Sequence, residues 1–158
     1  MPDMLVKLYA LKRCDDLHSR LDAQGITTRR PLPPEKHKVV EWVRQRFGPG
    51  WASETDVAFT NHPVSCFIAV RNRRIIGFAC YDATCKDFFG PTGVEEAERG
   101  QGIGRALLLE CMEAMAAQGY AYAIIGAAGP QEFYAKAVGA IPIEGSEPGI
   151  YRGMMWDD

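Results

Sequence analysis

Arg99-Gly100-Gln101-Gly102-Ile103-Gly104-Arg105-Ala106-Leu107-Leu108 decides how this chain is read. Three glycines alternate with side chains, and an apolar helical run follows without a break. Such a run builds a turn of bare backbone at a helix N-terminus. The first N–H groups of the helix have no partner inside it, and the helix dipole favours negative charge beside them. Glycines without Cβ atoms let that backbone close around a phosphate. Arg99 and Arg105 flank the turn and can add charge-assisted hydrogen bonds. The stretch reads as a pyrophosphate cradle.

Spacing separates the kinds of cradle. A Walker loop needs a lysine and a hydroxyl after its last glycine, but Gly104 is followed by Arg105 and Ala106. A dinucleotide fingerprint, Gly-x-Gly-x-x-Gly/Ala, puts Arg105 or Leu107 where its third small residue belongs. A nucleotide-binding domain of either kind is therefore disfavoured. Arg/Gln-x-x-Gly-x-Gly/Ala does fit, met by Arg99, Gly102 and Gly104. In this the chain resembles the GCN5-related N-acetyltransferase (GNAT) superfamily, whose acyl-CoA pyrophosphate loop has that form.

The rest of the chain suits one domain. Its 158 residues are enough for a real core. A net charge of −2 argues against a nucleic-acid surface. No apolar run reaches the length of a membrane span, and the N-terminus shows no signal-peptide pattern. Cys14, Cys66, Cys80, Cys85 and Cys111 are odd in number and form no Cys-x-x-Cys, which predicts reduced thiols and a cytoplasmic protein. His18, His37 and His62 lie far apart without ligand spacing, so no metal is expected.

Hydrophobic periodicity predicts a short strand or arm over 5–11, helix over 15–24, strand over 26–32 and helices over 35–47 and 51–61. Strands over 65–70 and 75–81 follow, joined by a polar turn, and then an extended segment over 87–94. A helix over 102–118 buries Leu107, Cys111 and Met115 on one row and Leu108 and Met112 on the next. A strand over 120–126, a helix over 130–138 and strands at 141–143 and 151–156 complete the chain. This order resembles the GNAT fold over residues 26–156, with 1–25 left as an N-terminal extension. The resemblance implies an α/β (α+β) architecture: a mixed, mostly antiparallel twisted sheet with one splayed strand pair, and helices on both faces.

The resemblance also implies chemistry. The strand before the loop leaves its neighbour and offers backbone to a pantetheine arm, a place held here by Thr92, Gly93 and Val94. Arg99, Gly100, Gln101, Gly102, Ile103, Gly104 and Arg105 then hold the pyrophosphate. Phe133-Tyr134 resembles the family's aromatic–tyrosine pair, which makes Tyr134 the acid that protonates the departing thiolate. A phenol of pKa about 10 is protonated at neutral pH and can donate to a thiolate of pKa about 8.5. Two features depart from the family's pattern: no asparagine precedes the last helix in 126–129, and Gly139-Ala140 replaces the closing Gly-Phe.

The implied activity is acetyl-CoA-dependent N-acetylation of a small-molecule or peptide amine by direct attack on the thioester. The alternative is a non-catalytic acyl-CoA sensor. Backbone N–H groups around Val94 are expected to receive the oxyanion. The base is open among Asp87, Asp82, Glu54 and water. Trp51, Glu54 and Asp56 are expected on the acceptor side, bordered by the loop over 145–151. Dimers are frequent in the family, so a homodimer is one assembly the resemblance allows.

Overall fold

A computed structural model describes residues 1–13 and 15–155, with the side chain of residue 15 also outside the described set. The expectations for Cys14 and for the end of the last strand at Trp156 therefore lie outside the described residues. Twelve regular elements run β1 (Met4–Lys7), α1 (Asp15–Ala23), β2 (Thr27–Arg29), α2 (Lys36–Phe47), α3 (Pro49–Ala58), β3 (Cys66–Arg71), β4 (Arg74–Tyr81), β5 (Phe88–Val94), α4 (Ile103–Ala117), β6 (Tyr122–Ile125), α5 (Gln131–Val138) and β7 (Ile141–Pro142). The strands form one sheet in the order β2-β3-β4-β5-β6-β1-β7. β5 and β6 run parallel, and the remaining ladders are antiparallel.

Local sequence explains the central hairpin. Asn72 and Arg73 both take positive φ, +51° and +62°, the pair of left-handed residues that a two-residue β-turn requires. β3 and β4 can then pair from Cys66↔Cys80 to Arg71↔Arg74. Along β4, Phe78 turns to the face of α2 and α3, while Gly77 faces α4, where its missing Cβ admits Leu107 and Ile103.

The sheet separates two cores. On one face α4 buries Leu107, Leu108, Cys111, Met112 and Met115 completely, against Leu17 and Leu21 of α1 and Tyr134 of α5. Each such Leu or Met contributes about 1.5–3 kcal/mol. On the other face Val39, Trp42 and Val43 of α2 meet Ala52 and Ala58 of α3 over Phe78. Both helical rows read from the sequence are therefore the ones that face the sheet.

Two expectations are corrected at the chain's ends. Residues 4–7 are no appendage: β1 lies inside the sheet, pairing Met4↔Ile125 through Lys7↔Tyr122 on one side and Met4↔Pro142 and Leu5↔Ile141 on the other. The two late strands shrink to β7 alone, and Gly149–Tyr151 is a 3-10 turn. The N-terminal strand takes the position beside β6, and β7 pairs on its outer side. A pairing between ends so far apart leaves no local trace in hydrophobic period.

Candidate active site

β5 begins as a partner of both neighbours. Phe88↔Ile124 and Phe89↔Ile125 tie it to β6, but no further rung between these strands follows among the described residues. On the other side Thr92, Gly93 and Val94 remain paired to Ala79, Phe78 and Gly77. The register on β4 slips between Ala79 and Tyr81, so Gly90 and Pro91 share the space opposite Cys80. Gly90 at φ +120° takes a backbone conformation that side chains disfavour, and Pro91 has no N–H to lose. The bulge turns β5 away from β6 and opens a V with its apex at Phe89 and Ile125.

That V is a cleft of about 640 Å³. Its first wall is β5 from Phe89 to Val94, and its second is Ile125 and the loop 126–130. The glycine turn closes the wide end. Gly100 and Gly102 have φ of +85° and +90°, and α4 starts directly after Gly102 with no side-chain cap. The helix's own bonding begins with Ala106 N–H to Gly102 O at 3.0 Å, which leaves the N–H groups of Ile103, Gly104 and Arg105 for a guest. The two loop glycines serve different ends. A Cβ on Gly102 would lie 2.8 Å from Leu17 Cδ1, so the fold itself needs that glycine. A Cβ on Gly104 would meet only Val94 Cγ2, at 3.7 Å. Nothing in the protein demands glycine there, and its absent side chain keeps the helix N-terminus open to the cleft.

Thr92, Gly93, Val94, Arg99, Gly100, Gly102, Ile103, Gly104, Arg105 and Tyr134 all line this one cleft. Gln101 does not. Its side chain turns to Glu98, donating to Oε2 at 2.9 Å, and accepts from Arg71 at 3.3 Å. Arg71 also holds Glu98 at 2.8 Å. Arg99 Nε donates to Val94 O at 3.3 Å, while Arg105 is exposed at the rim.

Tyr134 lies near the apex, edge-on to Phe89 with centroids 6.2 Å apart. It is buried, and burial pushes its phenol up to about 12, which holds the proton on at neutral pH. Val94 sits at the other end. Its contact with the Gly104 position and its distance from Phe89 along the strand, about 16 Å at about 3.3 Å per residue, place it beside the helix mouth. Tyr134 and Val94 thus lie toward opposite ends of the β5 wall, with Gly90 to Thr92 between them.

None of the three carboxylates considered as a base lines the cleft. Asp82 and Asp87 sit at the Phe88 end of β5, beside the apex but outside the residues that line the cleft. Asp82 accepts the Asp87 N–H at 2.7 Å and the Tyr120 hydroxyl at 3.3 Å. Burial first, and Asp82 second, push the Asp87 carboxyl up to about 6. Glu54 accepts a hydrogen bond from Thr84 and lies near Tyr151, whose phenol burial and then Glu54 raise to about 12. Asp56 is taken up by Lys36 at 2.7 Å. Trp51 does line the cleft, stacked on Phe47 at 5.3 Å and 39% exposed. Sequence reasoning missed the whole second wall. Its signal was only a run of small residues, Gly126-Ala127-Ala128-Gly129.

Residues 62–137 match the family model described as an acetyltransferase (GNAT) domain. The fold matches a GCN5-related glucosamine N-acetyltransferase region of a fungal multi-domain GH3 beta-N-acetylglucosaminidase at TM-score 0.73 and 18% identity, covering 90% of this chain and 19% of that one. It matches a GCN5-related N-acetyltransferase from Sphaerobacter thermophilus at TM-score 0.68 and 23% identity, covering 90% and 48%. The L-PGS structure from Bacillus licheniformis matches at TM-score 0.56 and 12% identity, covering 90% and 56%. The chain thus spans between 19% and 56% of the length of these relatives. A search of curated proteins finds no match. Among the described residues no helix is long and apolar enough to cross a membrane, and no group of three or more His, Cys, Asp or Glu could hold a metal ion.

Proposed function

On the premise that the chain carries a GNAT domain and fold, we propose that it is an acetyl-CoA-dependent N-acetyltransferase acting on a small-molecule or peptide amine. The observation that carries this reading is the meeting of three parts in one cleft: the splay of β5 from β6, the uncapped N-terminus of α4 behind Gly104, and the Tyr134 phenol near the apex.

The residues fit the group. The N–H groups of Ile103, Gly104 and Arg105 offer donors and dipole to a diphosphate, with Arg99 and Arg105 as flanking cations. β5 from Thr92 to Val94 offers unpaired backbone on its cleft side to an extended arm, as a sheet edge does to an added strand. Acetyl-CoA would supply the activated acyl group. At the acyl end the chain's own task is to hold a proton on Tyr134 and present it to a departing thiolate. With a phenol pushed up to about 12, that is a strong hydrogen bond more than a full early transfer. Both reactants held in one cleft supply much of the remaining effect.

None of Asp82, Asp87 and Glu54 lines the cleft. The titratable groups lining the cleft are Glu98, Arg99, Arg105 and Tyr134, and Glu98 is paired to Arg71. An amine arriving neutral, or losing its proton to water, meets that limit. The same lack favours the second reading, an acyl-CoA sensor without turnover. Calorimetric titration with acetyl-CoA, followed by a free-thiol assay over a panel of amines, tests both. Micromolar binding with amine-dependent thiol release supports the transferase. Binding with no release over the panel supports the sensor. A protein that does not bind acetyl-CoA refutes both.

A further inference from the structure

The loop 126–130 forms one wall of the cleft but has no strand partner on the cleft side, and what holds it is the chain's N-terminal segment. β1 pairs with β6 up to Met4↔Ile125. Beyond that rung the segment keeps company with the loop. Ala128 N–H donates to Pro2 O at 2.9 Å, and Ala127 N–H donates to the Asp3 carboxylate Oδ1 at 2.8 Å. Asp3 is itself fixed from behind. Its N–H donates to Ser146 Oγ at 2.8 Å, and its carbonyl accepts from Ile143 N–H at 2.8 Å.

Asp3 is buried, at 8% exposure, an unusual place for a carboxylate unless it is bonded. Ala127, which receives its attention, has φ of +44°, left-handed backbone that a residue with a Cβ disfavours. A charge-assisted bond to the Ala127 N–H can hold that conformation, at a residue that lines the cleft. The carboxylate does not line the cleft and acts through Ala127, which does.

We infer that Asp3 is a positioning residue for acyl-CoA binding: its carboxylate clamps Ala127 in left-handed backbone and so sets the second wall of the cleft. This rests on the acetyl-CoA reading above. It assigns the N-terminal strand a share in ligand binding.

The test uses the full chain and three variants. Asp3→Ala removes the clamp. Asp3→Asn keeps an acceptor oxygen. Ser146→Ala removes the acceptor of the Asp3 N–H and leaves the carboxylate in place. Two quantities are read: amide hydrogen exchange of Ala127 without ligand, and Kd for CoA by calorimetry. For Asp3→Ala we expect Ala127 exchange and Kd both to rise about tenfold or more, which is the affinity change of about 1.4 kcal/mol. Protection across the β3–β4 hairpin should stay unchanged. Asp3→Asn and Ser146→Ala should stay within about threefold of the parent in Kd, a change of under about 1 kcal/mol. If Asp3→Ala is too unstable to measure, Asp3→Ala combined with Ala127→Gly, which relieves the left-handed strain, replaces it, and recovery of CoA binding there supports the clamp. CoA affinity unchanged in Asp3→Ala while its Ala127 exchange accelerates overturns the inference. So does equal weakening in Asp3→Ala and Ser146→Ala, which would mark a merely structural role. A parent protein that fails to bind CoA, with Ala127 still released in Asp3→Ala, sinks the acetyl-CoA reading and leaves the clamp only a structural contact.

Discussion

Residues 90–94 on one side of the cleft and 126–130 on the other are both short, glycine-containing runs of backbone, yet they are held in different ways. The first run lies on β4, its hairpin-side neighbour, rung by rung from Thr92 to Val94. The bulge at Gly90 and Pro91 and the α4 glycine turn complete it from nearby sequence. The second run has no such neighbour. It is held by Pro2 and Asp3 from the start of the chain, and Tyr151 near the other end packs its hydroxyl against Gly126. One wall is local and self-supporting, and the other is assembled from three distant segments. A ligand seated between them reads both.

The sharpest way to break that comparison acts on the local wall. Gly104→Glu places a carboxylate over the helix N-terminus, where only Val94 Cγ2 is near. We expect CoA affinity to fall more than about a hundredfold, about 2.7 kcal/mol, with the thermal midpoint almost unmoved. Retained affinity by calorimetry would refute the phosphate assignment. Gly102→Asp is a poorer probe, because Leu17 and the φ of +90° make it a folding defect as well.

Tyr134→Phe comes next. It removes only the hydroxyl at the apex, so kcat should fall by about ten- to a hundredfold while CoA affinity stays within about twofold. Steady-state kinetics beside calorimetry decide this, and an unchanged kcat would take Tyr134 out of the acid role.

The assembled wall is probed by Gly126→Ala. Its Cβ would lie 2.6 Å from the Tyr151 hydroxyl and 3.0 Å from Phe88 Cδ2. Overpacking of this kind costs about 1–3 kcal/mol, read as a lower thermal midpoint. Adding Tyr151→Phe removes the nearest atom and should restore part of the loss. No recovery would mean that Tyr151 does not brace this wall.

The smallest effect belongs beside β5 at its Phe88 end, outside the residues that line the cleft. The Asp87 carboxyl is pushed up to about 6, so the folded protein holds that proton more tightly than the unfolded chain does. Stability should then decline as pH rises from about 4 to about 6 and be lowest above that window. Asp87→Asn should stabilise the fold at pH 7 by no more than about 1 kcal/mol, since the group is partly solvated. The gain should vanish near pH 3.5. A gain that persists there would show that charge is not its cause.

What the sequence revealed follows the same division. The glycine turn, α4 and the departure of β5 were legible because each is set by residues close together: Gly102 at φ +90°, a buried row from Leu107 to Met115, and Gly90 beside Pro91, which has no N–H. Tyr134 was found through a motif, and the structure puts it in the same cleft as the turn. Asp3 was invisible, since its partner is 124 residues away and its surroundings read as a short polar start. The late strands were misread for the same reason. Period and propensity predict that a segment can be a strand, but not which strand it joins. Asp87 and Glu54 looked usable as bases because sequence position does not say whether a side chain enters the cleft, and neither does so.

β1 also has an unusual place in time. Among the described strands it comes before all the others, and its partner β6 comes last but one. Closing so long a loop is slow compared with forming the β3–β4 hairpin, whose pairing is immediate. During synthesis the strand must wait, with Met4 and Val6 uncovered, until Ile125 and Ala123 leave the ribosome. The second wall of the cleft therefore forms with the closing of β1 on β6 rather than with the glycine turn.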